Sequence, residues 1–266
     1  MRSYRSATAP HSLALGPMNQ ISNSWQVQIQ GCKSDLDHLA RHFVSSPYRI
    51  SVDERGDGFV FLSDSFLACQ TSQQVLKLAN EELTVLSGVL RVTLRSPEPL
   101  RAGAVYKCNA SGGRDVFVHI HEGVQTRAEF GEVTVTVTGA NGNIITMPAL
   151  PPRTVSIAQL ASTDIAVTKA MRLIALPDHK TWVGMYRIFE VIVSDVGGER
   201  IIKRRGWGSA QDLNRFKHSA NSVAVAGDSA RHGKEKDEPP RKPMSLVEAS
   251  AYLNNILHLW LSSKGV

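Results

Sequence analysis

The chain has 266 residues and a mass of 29.1 kDa, with 42% hydrophobic and 20% charged residues, which excludes a wholly disordered or fibrous protein. No apolar run approaches the ~18 to 20 residues that a membrane-spanning helix needs, so a transmembrane protein is excluded as well. Three cysteines without a Cys-x-x-Cys pair exclude a disulfide scaffold and a cysteine zinc ribbon. They favour a reduced, cytoplasmic protein.

Positive charge is concentrated in the second half of the chain. The formal net charge is +6, and residues 1–152 contribute none of it, because 13 Lys and Arg offset 13 Asp and Glu. Residues 200–242 hold 11 basic side chains against 5 acidic ones, an excess that equals the whole net charge. Clustered Lys and Arg attract polyanions such as nucleic acids. The alternative is a solvated loop and helix face.

The first half is predicted to be a mostly antiparallel sheet with one or two helices. Residues 1–17 lack acidic side chains, and we expect a disordered tail or a misassigned start before Met18 rather than a transit-like leader. Alternating apolar residues predict strands, and apolar residues spaced by three and four predict helices. These patterns place a hairpin at Asn141-Gly142, helices over 36–43 and 71–87, the second capped by Thr71 or Ser72, and strands over 25–29, 49–52, 58–62, 116–121, 133–138 and from Ile144.

The second half is predicted to be a helical bundle. Three prolines between residues 148 and 152 mark a boundary between an α+β domain over 18–150 and a helical domain over 153–266. A charged, proline-rich loop over 227–243 precedes the last helix. Helical spacing predicts helices over 156–175, 181–194, 209–220 and 246–261, with capping boxes at Ser156–Gln159 and Ser245–Glu248. The predicted fold class is therefore α+β.

Most sequence signatures of catalysis are missing. There is no P-loop, GxGxxG, GxSxG elbow or HExxH, so nucleotide hydrolysis, dinucleotide redox chemistry and the commonest hydrolase folds lose support. His119 and His121 share one face of a predicted strand, but a metal site needs at least a third ligand. A polar outer face is the commoner outcome for such a pair. We therefore expect neither a metal nor a cofactor.

Side chains that could transfer protons or contact a phosphate are most concentrated between residues 215 and 233. This stretch offers histidine for proton transfer near neutral pH and arginine for bidentate contact with a phosphate. An RNA phosphodiester needs little more, because its own 2′-hydroxyl supplies the nucleophile. The structural alternative is an exposed helix face at Arg215 and Lys217, a helix C-cap at Asn221 and a solvated turn over 231–233.

The end of the chain resembles the end of HEPN-type helical bundles. Ala230-Arg231-His232-Gly233 precedes a polar gap and a capped final helix, SLVEASAYLNNILHLWL. In that family an arginine stands four to six residues before a histidine, and the paired motifs of a dimer cut RNA without a metal in toxins and antiviral defence proteins. The spacing differs here, because positions 225–227 are Val, Ala and Gly. Family members without the full motif act as binding or dimerisation modules.

The resemblance implies a homodimer that binds RNA or acts as a metal-independent endoribonuclease. His232 would be the general acid or base, Arg231 with support from Arg215 would hold the scissile phosphate, and Asn221 and Asp228 would orient these groups. Basic residues upstream are expected to bind the nucleic acid: Lys203, Arg204, Arg205, Lys217 and His218. The alternative from another class is a non-catalytic protein in which the sheet domain is a sensor and the bundle dimerises.

Overall fold

The protein folds into an antiparallel sheet followed by a helical region, which confirms the α+β class. The structure, a computed structural model, describes residues 24–55, 58–109, 113–118, 152–227, 230 and 241–266. Its strands are β1 (Ser24–Gln30), β2 (Val44–Ser45), β3 (Tyr48–Val52), β4 (Phe59–Ser63), β5 (Arg101–Cys108) and β6 (Arg114–Phe117). Its helices are α1 (Lys33–His42), α2 (Ser72–Thr93), α3 (Arg153–Thr163), α4 (Ile165–Ala175), α5 (Trp182–Val196), α6 (Glu199–Arg204), α7 (Ala210–Asn221), α8 (Val223–Ala226) and α9 (Leu246–Ser263), with a 3-10 segment at Asp64–Ala68.

The six strands of the described ranges pair antiparallel in the order β2-β3-β4-β1-β5-β6. In β1 the alternating residues Trp25, Val27 and Ile29 are buried, and the residues between them lie on the other face, as a half-buried strand requires. This confirms the predicted strand over 25–29. Strand β5 was not predicted, because the small residues 102–104 give it no apolar alternation.

The sheet is strongly coiled. Asp53 follows β3, and both of its carboxylate oxygens accept from the Arg114 guanidinium on β6 at 2.9 Å. Three strands lie between β3 and β6, and in a flat sheet about 4.8 Å between strands would separate the two residues by ~19 Å. The coil brings them together on one face, where Arg114 also lies 3.8 Å from the centroid of the Tyr106 ring.

Helix α2 lies between the sheet and the helical region. It packs against β5 and β1 and also against α3 and α4. Gly88 permits the close crossing with α4, because a Cβ atom at this position would collide with the carbonyl oxygen of Met171. Further along α2, one guanidinium nitrogen of Arg91 donates to the last carbonyls of the α4 segment at 2.8 to 3.0 Å: those of Ile174, Ala175 and Leu176.

The buried apolar core is continuous from the sheet to the helical region. A polar chain also crosses between them, since the Thr154 hydroxyl donates to Thr93 at 3.2 Å and lies 3.3 Å from Nε2 of His38. Helix α2, which belongs to the predicted first domain, thus shares its core with the first two helices of the predicted second domain. The domain boundary near residue 150 stays a prediction.

The helical region begins with two helices where the sequence predicted one. The chain leaves helical geometry at Asp164, whose carboxylate accepts from the amides of Ala166 and Val167 at 2.9 and 3.0 Å. These hydrogen bonds satisfy two free donors at the start of α4 and so stabilise a second N-terminus. The predicted Ser156–Gln159 capping box is wrong, because α3 already begins at residue 153.

The remaining helices enclose Phe216 of α7, which is fully buried. Its ring lies 5.3 to 6.3 Å, centroid to centroid, from the rings of Trp182, Tyr186, Phe189 and Tyr252. The predicted helices corresponding to α5, α7 and α9 are confirmed, and α9 opens with the predicted Ser245–Glu248 capping box. The short helices α6 and α8 were not predicted.

Several predicted features lie outside the described residues: the tail over 1–17, His119 and His121, the strands over 133–138 and from Ile144, and the hairpin at Asn141-Gly142. Within the described ranges, no helix combines the length and apolarity needed to cross a membrane. The same ranges contain no group of three or more His, Cys, Asp or Glu side chains arranged to hold a metal ion.

Candidate nucleic-acid interface

A basic turn lies on the surface at the end of α6. The amides of Gly206 and Trp207 donate to the carbonyls of Lys203 and Ile202, both at 3.1 Å, with Gly206 at φ 69°. This is a Schellman motif, and glycine suits it because other residues are strained at positive φ. Ile202 and Trp207 are buried and anchor the turn. The exposed cations around them form what we call the α6 basic turn: Arg200, Lys203, Arg204 and Arg205.

The cations of the α6 basic turn have no carboxylate partner among the residues that the structure describes. None of the four makes an ion pair with another residue in the part of the chain that the structure describes. The guanidinium carbon of Arg205 lies 4.9 Å from the centroid of the Trp207 ring, which orients the side chain without neutralising its charge. Among the described residues nothing neutralises these exposed charges, so their positive field is available to a polyanion.

Two further predicted site residues, Lys217 and His218, are neighbours on α7. The ammonium of Lys217 donates to Glu199 at 2.7 Å, an ion pair that joins α7 to the first residue of α6. His218 lies in the last turn of α7 and is exposed. The ion pair places α7 beside α6, but it also offsets the charge of Lys217.

Arg215, predicted to support the scissile phosphate, is tied into the fold. Its Nε donates to the Lys242 carbonyl at 2.9 Å, and its terminal nitrogens lie 3.3 Å from Asp212 and 3.6 Å from Glu248. Hydrogen bonds from Ser245 and the charge of Arg215 hold the pKa of the Glu248 carboxyl below its ordinary value, so this partner is ionised. Arg215 thereby fastens α7 to the start of α9.

The junction between α7 and α8 holds a predicted orienting residue, Asn221. The Oδ1 atom of Asn221 and the hydroxyl of Ser222 are buried and have no hydrogen-bond partner among the described residues. The alternative interpretation of the sequence makes Asn221 the C-cap of α7, but the C-cap is Ser222, the next residue. The other predicted site residues follow this junction in the chain but lie outside the described residues: Asp228, Arg231 and His232.

Arg200 is the member of the α6 basic turn that sequence reasoning did not select. Its spacing was a usable signal, because residues three and four positions apart share one side of a helix, as Arg200 does with Lys203 and Arg204. The signal was missed because α6, with only 6 residues, was not predicted as a helix.

A tyrosine beneath this surface, Tyr252, is not a proton donor near neutral pH. Tyr252 is electrostatically coupled to Glu199 and Asp212, and burial, reinforced by these two carboxylates, raises its pKa to about 12. Its hydroxyl therefore stays protonated near neutral pH. The fold and this surface together define an α+β protein whose helical region exposes a basic turn. No family model, curated protein or solved structure matches the chain.

Proposed function

We propose that the helical region binds RNA through the α6 basic turn. The observation that supports this is a contrast in pairing. Within the described ranges the four cations of the turn have no carboxylate partner, whereas Arg215 and Lys217 are both paired. A polyanion gains most from cations that are not already neutralised, because each phosphate contact releases counterions.

The helix dipole alone does not account for these cations. Basic residues in the last turn of a helix gain ~0.3 to 1 kcal/mol from the dipole, which gives Lys203 and Arg204 a structural reason to be basic. Arg200 is the second residue of α6, where the dipole disfavours a cation, and Arg205 lies beyond the helix. A phosphate backbone as partner gives one reason for all four.

The resemblance to HEPN-type bundles extends the proposal to RNA cleavage without a metal. The 2′-oxygen of the RNA attacks the adjacent phosphorus, the bond to the 5′-oxygen breaks, and a 2′,3′-cyclic phosphate forms. The 2′-hydroxyl loses its proton and the departing 5′-oxygen gains one, with His232 as the general acid or base for this transfer. Arg231 holds the phosphate, and Asp228 and Asn221 orient the two groups. In this proposal Arg215 acts indirectly, by holding the carbonyl of Lys242, ten residues after His232 in the chain.

Binding is tested by fluorescence anisotropy with a labelled single-stranded RNA of mixed sequence. The variant Arg204→Glu/Arg205→Glu is expected to bind at least about tenfold more weakly, with a salt slope lower by about 1.4, because each phosphate contact contributes about 0.7. The control is Lys77→Glu/Lys180→Glu, which makes the same charge change at exposed positions on α2 and before α5. Equal affinity of wild type and Arg204→Glu/Arg205→Glu would refute the proposal.

Cleavage is tested with the same RNA in EDTA. Wild-type protein is expected to cut it, and His232→Ala is expected to lose about 10²- to 10⁴-fold in rate, the usual worth of a general acid or base. Unchanged RNA affinity in His232→Ala would show that the variant is folded. Binding without cleavage by the wild type would restrict the function to recognition.

The second candidate function is an interaction module in which the helical region pairs with a second copy of the chain. Leu246 and Val247, in the first turn of α9, are apolar yet 44% and 80% exposed. An apolar interface responds little to salt, unlike a phosphate contact. Sedimentation velocity is expected to give a dimer at low and high salt, and Val247→Asp a monomer. A wild-type monomer that binds RNA would exclude this candidate.

A further inference from the structure

A pocket of about 360 Å³ opens at one end of the sheet, and none of its lining residues belongs to the α6 basic turn. It is formed where β1 begins and β4 ends, and the 3-10 segment with the two residues after it closes one side. Arg49 from β3 and Lys107 from β5 complete the lining. Its volume falls within the range of ~300 to 1,000 Å³ that small-molecule sites occupy.

The apolar wall of the pocket is held in place. The indole nitrogen of Trp25 donates to the Cys69 carbonyl at 3.0 Å, and its ring packs against Phe117 with centroids 5.9 Å apart. Phe66, in the 3-10 segment, is 2% exposed and supports the same wall. Such a wall can receive the apolar part of a ligand without rearranging, which limits the entropy lost on binding.

Two basic side chains and one carboxylate line the pocket, which leaves a net charge of +1 on its lining. The Lys107 ammonium lies 5.1 Å from the centroid of the Trp25 ring, and Arg49 is exposed. The nearby carboxylates are Asp64, which also lines the pocket, Asp115, the cross-strand neighbour of Lys107, and Glu82, which accepts from Ser63 behind the lining. None of the three forms an ion pair with Arg49 or Lys107 within the described residues. The lining charge is therefore net positive.

The pocket's other polar groups are occupied or neutral. The Cys69 thiol donates to the Ser65 carbonyl, and burial, followed by the Glu82 carboxylate, raises its pKa, so it stays a thiol near neutral pH. The Ser63 hydroxyl donates to Glu82 at 3.0 Å. No group here is an activated nucleophile, and this chemistry favours binding over catalysis.

We propose that this pocket binds a small organic anion, a carboxylate or phosphate ester, with its charge at Arg49 and Lys107 and its apolar part against Trp25 and Phe66. Burying an apolar group beside two cations on a rigid wall gives both affinity and orientation. The site belongs to the sheet, so this proposal does not depend on RNA binding by the α6 basic turn.

The test is isothermal titration calorimetry of the full chain with three probes. Adenosine 5′-monophosphate represents phosphate esters, benzoate represents carboxylates, and inorganic phosphate lacks an apolar part. At least one organic anion is expected to bind with a dissociation constant of about 1 mM or tighter, and inorganic phosphate about tenfold more weakly than that ligand. Binding of adenosine 5′-monophosphate would identify the ligand as a phosphate ester, and binding of benzoate would identify it as a carboxylate.

Variants assign the binding to the pocket. Lys107→Met, which keeps an unbranched stem over Trp25, and Arg49→Gln are each expected to weaken it about tenfold. The controls Lys77→Met and Arg187→Gln remove exposed cations elsewhere and are expected to bind as wild type does. Near-UV circular dichroism of each variant checks the Trp25 environment.

Three outcomes would overturn this assignment: no binding of either organic anion at about 1 mM, unchanged affinity in both pocket variants, or equal losses in the controls. The variant Arg204→Glu/Arg205→Glu separates the two proposals. It is expected to lose RNA affinity and to keep its affinity for the small anion. Loss of the small anion in that variant would place the binding at the α6 basic turn instead.

Discussion

Two sets of basic side chains in this protein have opposite environments. Arg91, Arg215 and Lys264 are each held by two or more oxygen atoms. The side chains of the α6 basic turn are exposed and, within the described ranges, contact one aromatic ring and no carboxylate. The residue types are the same, so the difference comes from where the fold places acceptors. A held cation stabilises the fold, and a free cation is available to a partner. Substitutions that separate these roles are expected to have effects in a definite order.

The largest loss of stability is expected for Arg91→Met. This change removes the donor to three carbonyls at the end of α4, and hydrogen bonds from charged groups are worth ~1.5 to 3 kcal/mol. The free energy of unfolding, measured in urea, is expected to fall by ~2 to 3 kcal/mol. The control Arg172→Met, on α4 with its nearest carboxylate 3.9 Å away, is expected to cost less than ~0.5 kcal/mol. Equal costs would contradict the capping role.

A smaller loss, ~1 to 2 kcal/mol at neutral pH, is expected for Lys264→Met. The Lys264 ammonium lies 2.7 Å from Asp164 and 2.9 Å from Asp195, and the side chains are about a fifth exposed. Lys169→Met, an exposed position on α4, is the control. Urea denaturation measures the free energy of unfolding of the two variants. A loss in Lys264→Met no larger than that in Lys169→Met would show that the ion pairs of Lys264 do not stabilise the fold.

The same ion pair makes stability depend on pH. Burial alone would raise the pKa of Asp164, but hydrogen bonds from Lys264 and from the amides of Val167 and Ala166 outweigh it, so the pKa lies below the ordinary 3.8. A carboxyl with a lowered pKa adds stability above its unfolded pKa and loses it as the pH falls. The difference between wild type and Lys264→Met is therefore expected to shrink below about pH 4. A constant difference down to pH 2 would contradict this.

At high pH, the stability that this cluster contributes depends on the charge of Lys264 itself. Burial lowers its pKa, but the bonds to Asp164 and Asp195 outweigh that effect, and the pKa lies above the ordinary 10.5. Such a group stabilises the fold below its unfolded pKa and loses this contribution as the pH rises through the folded pKa. The difference between wild type and Lys264→Met is thus expected to stay level at neutral pH and to shrink again above 10.5.

A loss of ~1 kcal/mol or less is expected for Arg215→Gln, because its ion pairs are partly exposed. This variant tests the division between held and free cations directly. If Arg215 only fastens α7 to α9, RNA affinity is expected to stay within about twofold of wild type under conditions where both are folded. A tenfold loss of RNA affinity without a loss of stability would show that Arg215 contacts RNA rather than stabilising the fold.

The smallest effect on stability is expected for the α6 basic turn. Arg204→Gln/Arg205→Gln removes two exposed cations that have no carboxylate partner in the described ranges, so the free energy of unfolding is expected to change by less than ~0.5 kcal/mol. RNA affinity is expected to fall in the same variant. A destabilisation as large as that of Lys264→Met would show that these cations support the fold.

Local sequence patterns determined the elements. The Ser245–Glu248 box and the left-handed Gly197 begin and end helices by hydrogen bonds within a few residues, so sequence spacing predicts them. The enrichment of positive charge near α6 was equally visible. The break at Asp164 was missed, although an aspartate that caps a helix is a local signal, because apolar spacing continues across it.

Tertiary structure alone decided which cations are free and which are held. Arg215 meets Glu248, and Arg49 and Lys107 line one pocket, only because the chain folds back, and no local rule links residues so far apart. The crossing at Gly88, which unites the core of sheet and helices, likewise depends on Met171. The sequence by itself determined which segments are helices or strands, because these depend on short-range hydrogen bonding and apolar periodicity. Packing decided the partner of each charge, because ion pairs depend on distance in space.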